Sequence, residues 1–126
     1  PLTSTAVISG LTYLEQAQND DGGFPYDPES PWGTDSDTNS TAYVVQALLA
    51  AGHDPVTGPW VISDTNPIEF LLGMQLGDGS LEWLPGLGSD QMATQQAISA
   101  LLHRPLPVRV KAMDACRTSF LPLATR

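Results

Sequence analysis

Lysine and arginine are absent from the first 103 residues of this 126-residue chain. The five basic residues, Arg104, Arg109, Lys111, Arg117 and Arg126, fall in the last 23 positions, whereas 13 of the 14 acids precede them. A body this acidic repels phosphate backbones, which argues against nucleic acid as a partner. Cysteine occurs once, at Cys116, and this excludes an internal disulfide and a cysteine-based metal cluster. No apolar run approaches the ~20 residues a membrane-spanning helix needs. The opening Pro1-Leu2-Thr3 has no basic region ahead of an apolar stretch, so no signal peptide is read there. The two histidines, His53 and His103, each follow a helix end and lack ligand spacing, so zinc is not expected. No Ser-His-Asp grouping and no phosphate-cradling glycine loop stands out.

What is present is a chain able to pack. Hydrophobic residues make up 41% of it, enough for a core and too many for a disordered chain. Little lysine, one cysteine and many Thr, Ser, Asn and Gln lean toward an exported bacterial protein, extracellular or at the cell surface.

The sequence also matches itself. Tyr13 through Phe24 aligns with Phe70 through Leu81 at an offset of 57, both reading aromatic-Leu-x-x-x-Gln-x-x-Asp-Gly-x-apolar. Asp37 through Leu49 then aligns with Asp90 through Leu102 at an offset of 53. Two anchors in the same order point to a duplicated unit. The four-residue difference falls in the intervening loop, which carries Pro25, Pro28 and Pro31 in the first copy.

Each unit reads as helix, loop, helix. Val7, Leu11, Leu14 and Gln18 share one helical face, and Asp21-Gly22-Gly23 is expected to end that helix. Asp37 or Ser40 caps a second helix with Ala42, Val45, Leu48 and Leu49 inward, and Gly52 stops it. Asn66-Pro67-Ile68-Glu69 starts the third helix with a capping Asn, a Pro at the first position and an acid at the third. Gly77 and Gly79 are expected to end it. Ser89 or Asp90 opens a fourth, which runs to about Leu102, before Pro105 and Pro107. The expectation is an all-α fold of two helical-hairpin repeats, about 3–53 and 66–104 within 1–107. An extended, nonhelical C-terminal tail follows over 108–126.

The motif Gly10-x-x-Tyr13-Leu14-x-x-x-Gln18-x-x-x-Gly22-x-Phe24 resembles the repeat of the α/α toroids. That superfamily holds terpene (squalene and hopene) cyclases, protein prenyltransferase β subunits and cobalamin carriers. Gln91-Met92-Ala93-Thr94-Gln95-Gln96-Ala97 with Ala100-Leu101 looks most like bacterial surface proteins carrying prenyltransferase/squalene-oxidase repeats. The resemblance spans Thr5 to Pro107. It implies an incomplete α/α toroid, because about six hairpins close such a barrel. The chain is then expected either to belong to a longer protein with further N-terminal repeats or to form a homo-oligomer.

The residues of the toroid enzymes do not carry over. Cyclases place an acid at the second Asp of an Asp-x-Asp-Asp-Thr-Ala motif. With Thr41-Ala42 aligned to its end, Asp37 comes first, but Asn39 and Ser40 stand where the two acids belong. Asn cannot protonate an alkene. A degenerate cyclase or transferase fragment is therefore the alternative, and no catalytic residue is expected. Asp35-x-Asp37-x-Asn39 also resembles the start of a calcium loop, but Ser40 replaces the loop's Gly and Gln46 its Glu. Helix capping explains the same residues better, so no cofactor or metal is expected. Binding is the leading expectation. Trp32, Asp35 and Asp37 from one loop, Trp83 and Asp90 from the other, and Asn39, Tyr43, Gln91 and Gln95 along the inner helices suit a small polar ligand or a glycan. The competing reading makes the tryptophans hydrophobic plugs between hairpins. A glycan-processing barrel would require Asp37 and Asp90 to face each other.

Overall fold

Four capping side chains set where the helices of the computed structural model begin. The structure describes residues 4–106. Ser4 accepts from the Val7 amide and opens α1 (Thr5–Ala17). Asp37 takes the Ser40 amide and opens α2 (Thr38–Ala50). Asn66 accepts from the amides of Ile68 and Glu69 ahead of α3 (Pro67–Gly73), with Pro67 where a missing N–H does no harm. Asp90 takes the Ala93 amide and opens α4 (Gln91–Leu101). Each bond satisfies a donor that the first helical turn otherwise leaves orphaned.

The described residues are mostly helical, with one addition to the expected all-α fold. Leu81–Glu82 (β1) and Ser89–Asp90 (β2) pair antiparallel, Leu81 opposite Asp90 and Glu82 opposite Ser89. The Glu82 carboxylate closes this ribbon by accepting from the amides of Gly86 (2.8 Å) and Gly88 (2.9 Å). Two helix ends also fall earlier than expected. α3 stops at Gly73 because Leu81, 2% exposed, draws Gln75 into an antiparallel bridge while the Met74 carbonyl accepts from Glu82. α1 ends at Ala17, and Gly22 (φ +82°) serves the turn after it, donating to Asn19. The expected tail, 108–126, lies outside the described residues.

Two apolar clusters hold the helices together. α2 sends Ala42 and Val45 against Leu71 and Met74 of α3, Ala97 and Ala100 of α4, and Leu81. A second cluster joins Ala17, Phe24, Leu48 and Trp60, with Leu11, Leu14 and Val44 packed on it. Trp60, from a 3-10 turn over Gly58–Trp60, is 1% exposed and edge-on to His53 at 6.0 Å. Its carbonyl accepts from the Gln18 amide at 3.0 Å, which ties the α2–α3 connection to the end of α1.

The sequence match reappears as matched hydrogen bonds. Gln18 donates to the Gly22 carbonyl (3.0 Å), and Gln75 to that of Gly79 (3.2 Å). Thr41 Oγ1 accepts from the Phe24 amide at 2.9 Å, and Thr94 Oγ1 from the Leu81 amide at 2.9 Å. Gly22 and Gly79 have φ of +82° and +88°. The glutamine of the motif thus closes the turn that follows its helix, and the threonine pins the returning strand to the next helix. The stretches differ in what surrounds the turn. A Cβ on Gly23 would lie 2.6 Å from Ser36 Cβ and 2.8 Å from the Phe70 ring, so the first turn is seated on α3.

Candidate functional site

The loop after Leu81 is stitched to the start of α2. Thr38 Oγ1 donates to the Glu82 carbonyl at 2.6 Å, and the Thr38 amide donates to the Trp83 carbonyl at 3.0 Å. These bonds carry Trp83 to the mouth of α2, beside the first loop. That loop is anchored by the Pro25–Ser36 bridge and by the Asp37 amide donating to Phe24, and it displays Tyr26 and Trp32 at 91% and 95% exposure. Trp83 is 45% exposed.

Three clefts open here and share walls. Tyr26, Asp37, Asn39, Ser40, Trp83, Asp90 and Met92 line one of about 340 Å³. Trp32, Gly33, Asp35 and Leu84 join Tyr26, Asp37 and Trp83 around another of about 170 Å³. The third, about 680 Å³, runs on from Asp35 and Leu84 to Asn19, Asp20 and Asp21. Shared residues make them one furrow across the N-terminal ends of α2 and α4. Tyr26, Trp32 and Trp83 wall its two smaller clefts, and among the described residues its lining carries five carboxylates and no lysine or arginine.

Comparison with known protein families, curated proteins and solved structures yields no match. The furrow's chemistry therefore rests on its own residues.

Of the residues singled out in the sequence, Trp32, Asp35, Asp37, Asn39, Trp83 and Asp90 line the furrow. Tyr43 lies further along α2, where its hydroxyl meets Gln96 Nε2 at 3.3 Å. Gln91 and Gln95 are exposed on α4 and do not line these clefts. Asp37 is 4% exposed, and its two oxygens accept from the Ser40 amide (2.8 Å) and the Ser40 hydroxyl (2.6 Å). Asp90 accepts from the Ala93 amide at 2.7 Å. Both carboxylates are helix caps that also border the furrow. Asn39 Oδ1 is buried and has no hydrogen-bond partner among the described residues. Among the described residues, no group of three His, Cys, Asp or Glu is placed to hold a metal. No helix there is long and apolar enough to cross a membrane.

Asp21 and its counterpart Asp78 organise turns. Asp21 Oδ1 accepts from the Gly23 amide (2.9 Å) and the Ser36 hydroxyl (2.7 Å). Asp78 Oδ1 accepts from the Ser80 hydroxyl (2.6 Å) and amide (3.0 Å). The Ser80 hydroxyl, then its amide, hold the Asp78 carboxyl below its ordinary value, because both donors favour the charged form.

Tyr26, Ser40, Met92 and Leu84 also line the furrow, beyond the nine residues expected at a site. For two of them a signal exists in the duplication. Tyr26 matches Trp83 at the offset of 57, and Met92 matches Asn39 at the offset of 53. Asp37 and Asp90 match likewise, so the 340 Å³ cleft is built from equivalent positions of the two stretches.

Proposed function

We propose that this chain is a noncatalytic binding module made of two units of an α/α-toroid repeat, carried by an exported bacterial protein. Its ligand site is the furrow across the ends of α2 and α4. The observation that carries this reading is the convergence of Tyr26, Trp32 and Trp83 beside Asp37 and Asp90. Flat aromatic faces pack against the apolar face of a sugar ring, while carboxylates accept from its hydroxyls. Five carboxylates along one furrow disfavour an anion, and a neutral glycan fits that chemistry.

The same residues speak for binding over catalysis. Both Asp37 oxygens are committed to Ser40, and the neighbouring positions, Asn39 and Ser40, supply no acid. Protonation of an alkene in a cyclase fragment, or a paired-carboxylate hydrolysis, would draw on a carboxyl free of such a cap.

The test is a titration with a panel of neutral oligosaccharides, followed by tryptophan fluorescence. Trp32 and Trp83 report on the furrow, and the buried Trp60 supplies a constant background. At least one oligosaccharide is expected to shift the emission, and Trp83→Ala to weaken that binding by about tenfold or more. Gln95→Ala, on α4 outside the clefts, leaves it unchanged. A panel that moves no emission, or a Trp83→Ala chain that binds as well as the parent, would sink the glycan reading.

A further inference from the structure

We propose that two copies of this chain associate head to tail, the exposed ridge of α4 on one entering the apolar groove between α1 and α2 on the other. The template for this contact lies inside the chain. Ala42, Val45 and Leu49 of α2 form a ridge seated between α3 and α4, where Ala42 and Val45 are fully buried. The groove that receives them is walled by Ile68 and Leu71 of α3 and by Ala97 and Ala100 of α4.

The offsets of the duplication carry both faces to the chain's two ends. The ridge positions are Gln95 and Ile98 of α4 and Leu102 at its C-terminal cap, and all three are exposed, Ile98 by 52% and Leu102 by 65%. The groove positions in the first stretch are Leu11 and Leu14 of α1 with Val44 and Ala47 of α2. There an open apolar groove of about 560 Å³ lies against Val7, Gly10, Leu11, Leu14, Ala47 and Ala51. A third pair agrees. The turn at Gly22 and Gly23 is covered by Asn66 and Phe70, whereas a Cβ on the matching Gly79 meets nothing within 4 Å. Phe70 is matched by Tyr13, which is 55% exposed at the rim of the open groove.

Each end therefore presents one half of an interface whose other half is on the opposite end. Surfaces of this kind join different patches of identical molecules, and so propagate instead of closing as a two-fold dimer. Exposed apolar surface on both halves supplies the drive. This inference stands apart from the ligand reading, since neither Ile98 nor Leu102 nor the groove lines the furrow.

The experiment uses the full chain and two variants, each blocking one face. Ile98→Asp places a charge on the ridge. Gly10→Glu fills the groove, and its Cβ has open space in the monomer, so the fold tolerates it. Far-UV circular dichroism checks that both remain helical. In sedimentation and light scattering, the parent is expected to rise with concentration from 13.4 kDa through dimers to larger species. Each variant alone stays at the chain mass. Mixed in equal amounts they reach twice that mass and no more, because one keeps its ridge and the other its groove. A parent that stays at the chain mass, variants that associate like the parent, or a mixture that fails to pair would each overturn the proposal.

Discussion

Gly52 and His103 stand at the same place after α2 and α4, and they meet the same demand with different chemistry. Each follows its helix in a left-handed conformation, φ +82° for Gly52 and +52° for His103. Each end is closed in the same way: His53 donates to Leu48 and Gly52 to Leu49, while Arg104 donates to Ser99 and His103 to Ala100. Glycine reaches that backbone without penalty, whereas a side chain there costs ~1–2 kcal/mol. Part of the gain from glycine is lost to the freer unfolded chain. His103→Gly is thus expected to stabilise the protein by about 0.5–1 kcal/mol, read as a higher urea midpoint. A lower midpoint would mean that the imidazole, whose Nδ1 lies 3.3 Å from the Leu101 carbonyl, contributes more than its backbone costs. That His103 is an exposed residue past a helix end was legible in the sequence. Its left-handed backbone was not, because no local rule places a histidine there.

At the scale of elements, the two glycine turns separate intrinsic from neighbouring constraints. Gly22 and Gly79 share their φ and receive the same glutamine, yet a Cβ on Gly22 would lie 2.8 Å from the Asn66 carbonyl oxygen. Gly79→Ala is expected to cost about 1 kcal/mol from backbone strain alone. Gly22→Ala adds a collision with rigid backbone at the start of α3, for a total of roughly 3 kcal/mol or more. Chemical denaturation of the two variants measures the difference, and equal losses would remove the seat of the first turn on α3. Helix starts were readable because Asp37, Asn66 and Asp90 act on amides two or three positions away. The early end of α3 was not, since it depends on Leu81 pulling Gln75 into a bridge across the turn.

Across the whole molecule, burial is unequal. α2 carries Ala42, Val45 and Leu48 at 0% exposure and α4 carries Ala93, Ala97 and Ala100 likewise, whereas Ala17 is the one buried residue of α1. Helices with few buried contacts open at lower free energy than the core. Amide hydrogen exchange is therefore expected to be slowest in the middles of α2 and α4 and faster throughout α1. Equal protection of all three would contradict this order at low concentration. At high concentration, slowing in α1, α4 and the last turn of α2 would accompany the proposed head-to-tail contact, because these segments border its two faces.

By itself the sequence determined the mostly helical character of the described residues, the starts of α2, α3 and α4, the internal match of two stretches and the acidity of the body. All of these follow from residue spacing and composition, which act over a few positions or over none. Six of the nine residues expected at a site line the furrow, because they sit at helix caps or in aromatic loops between the matched stretches. Only the tertiary structure decided that Trp83 reaches the mouth of α2, through bonds from Thr38 to the carbonyls of Glu82 and Trp83, the first spanning 44 positions. It also decided that Trp60, in a loop without periodicity, fills the core of the first stretch. The same holds for which copy of each repeated face is covered: Val45 is buried and the matching Ile98 exposed, although both are apolar and sit on equivalent turns. A residue's type sets what burial would yield, and only the packing of distant elements decides whether a neighbour is there to bury it.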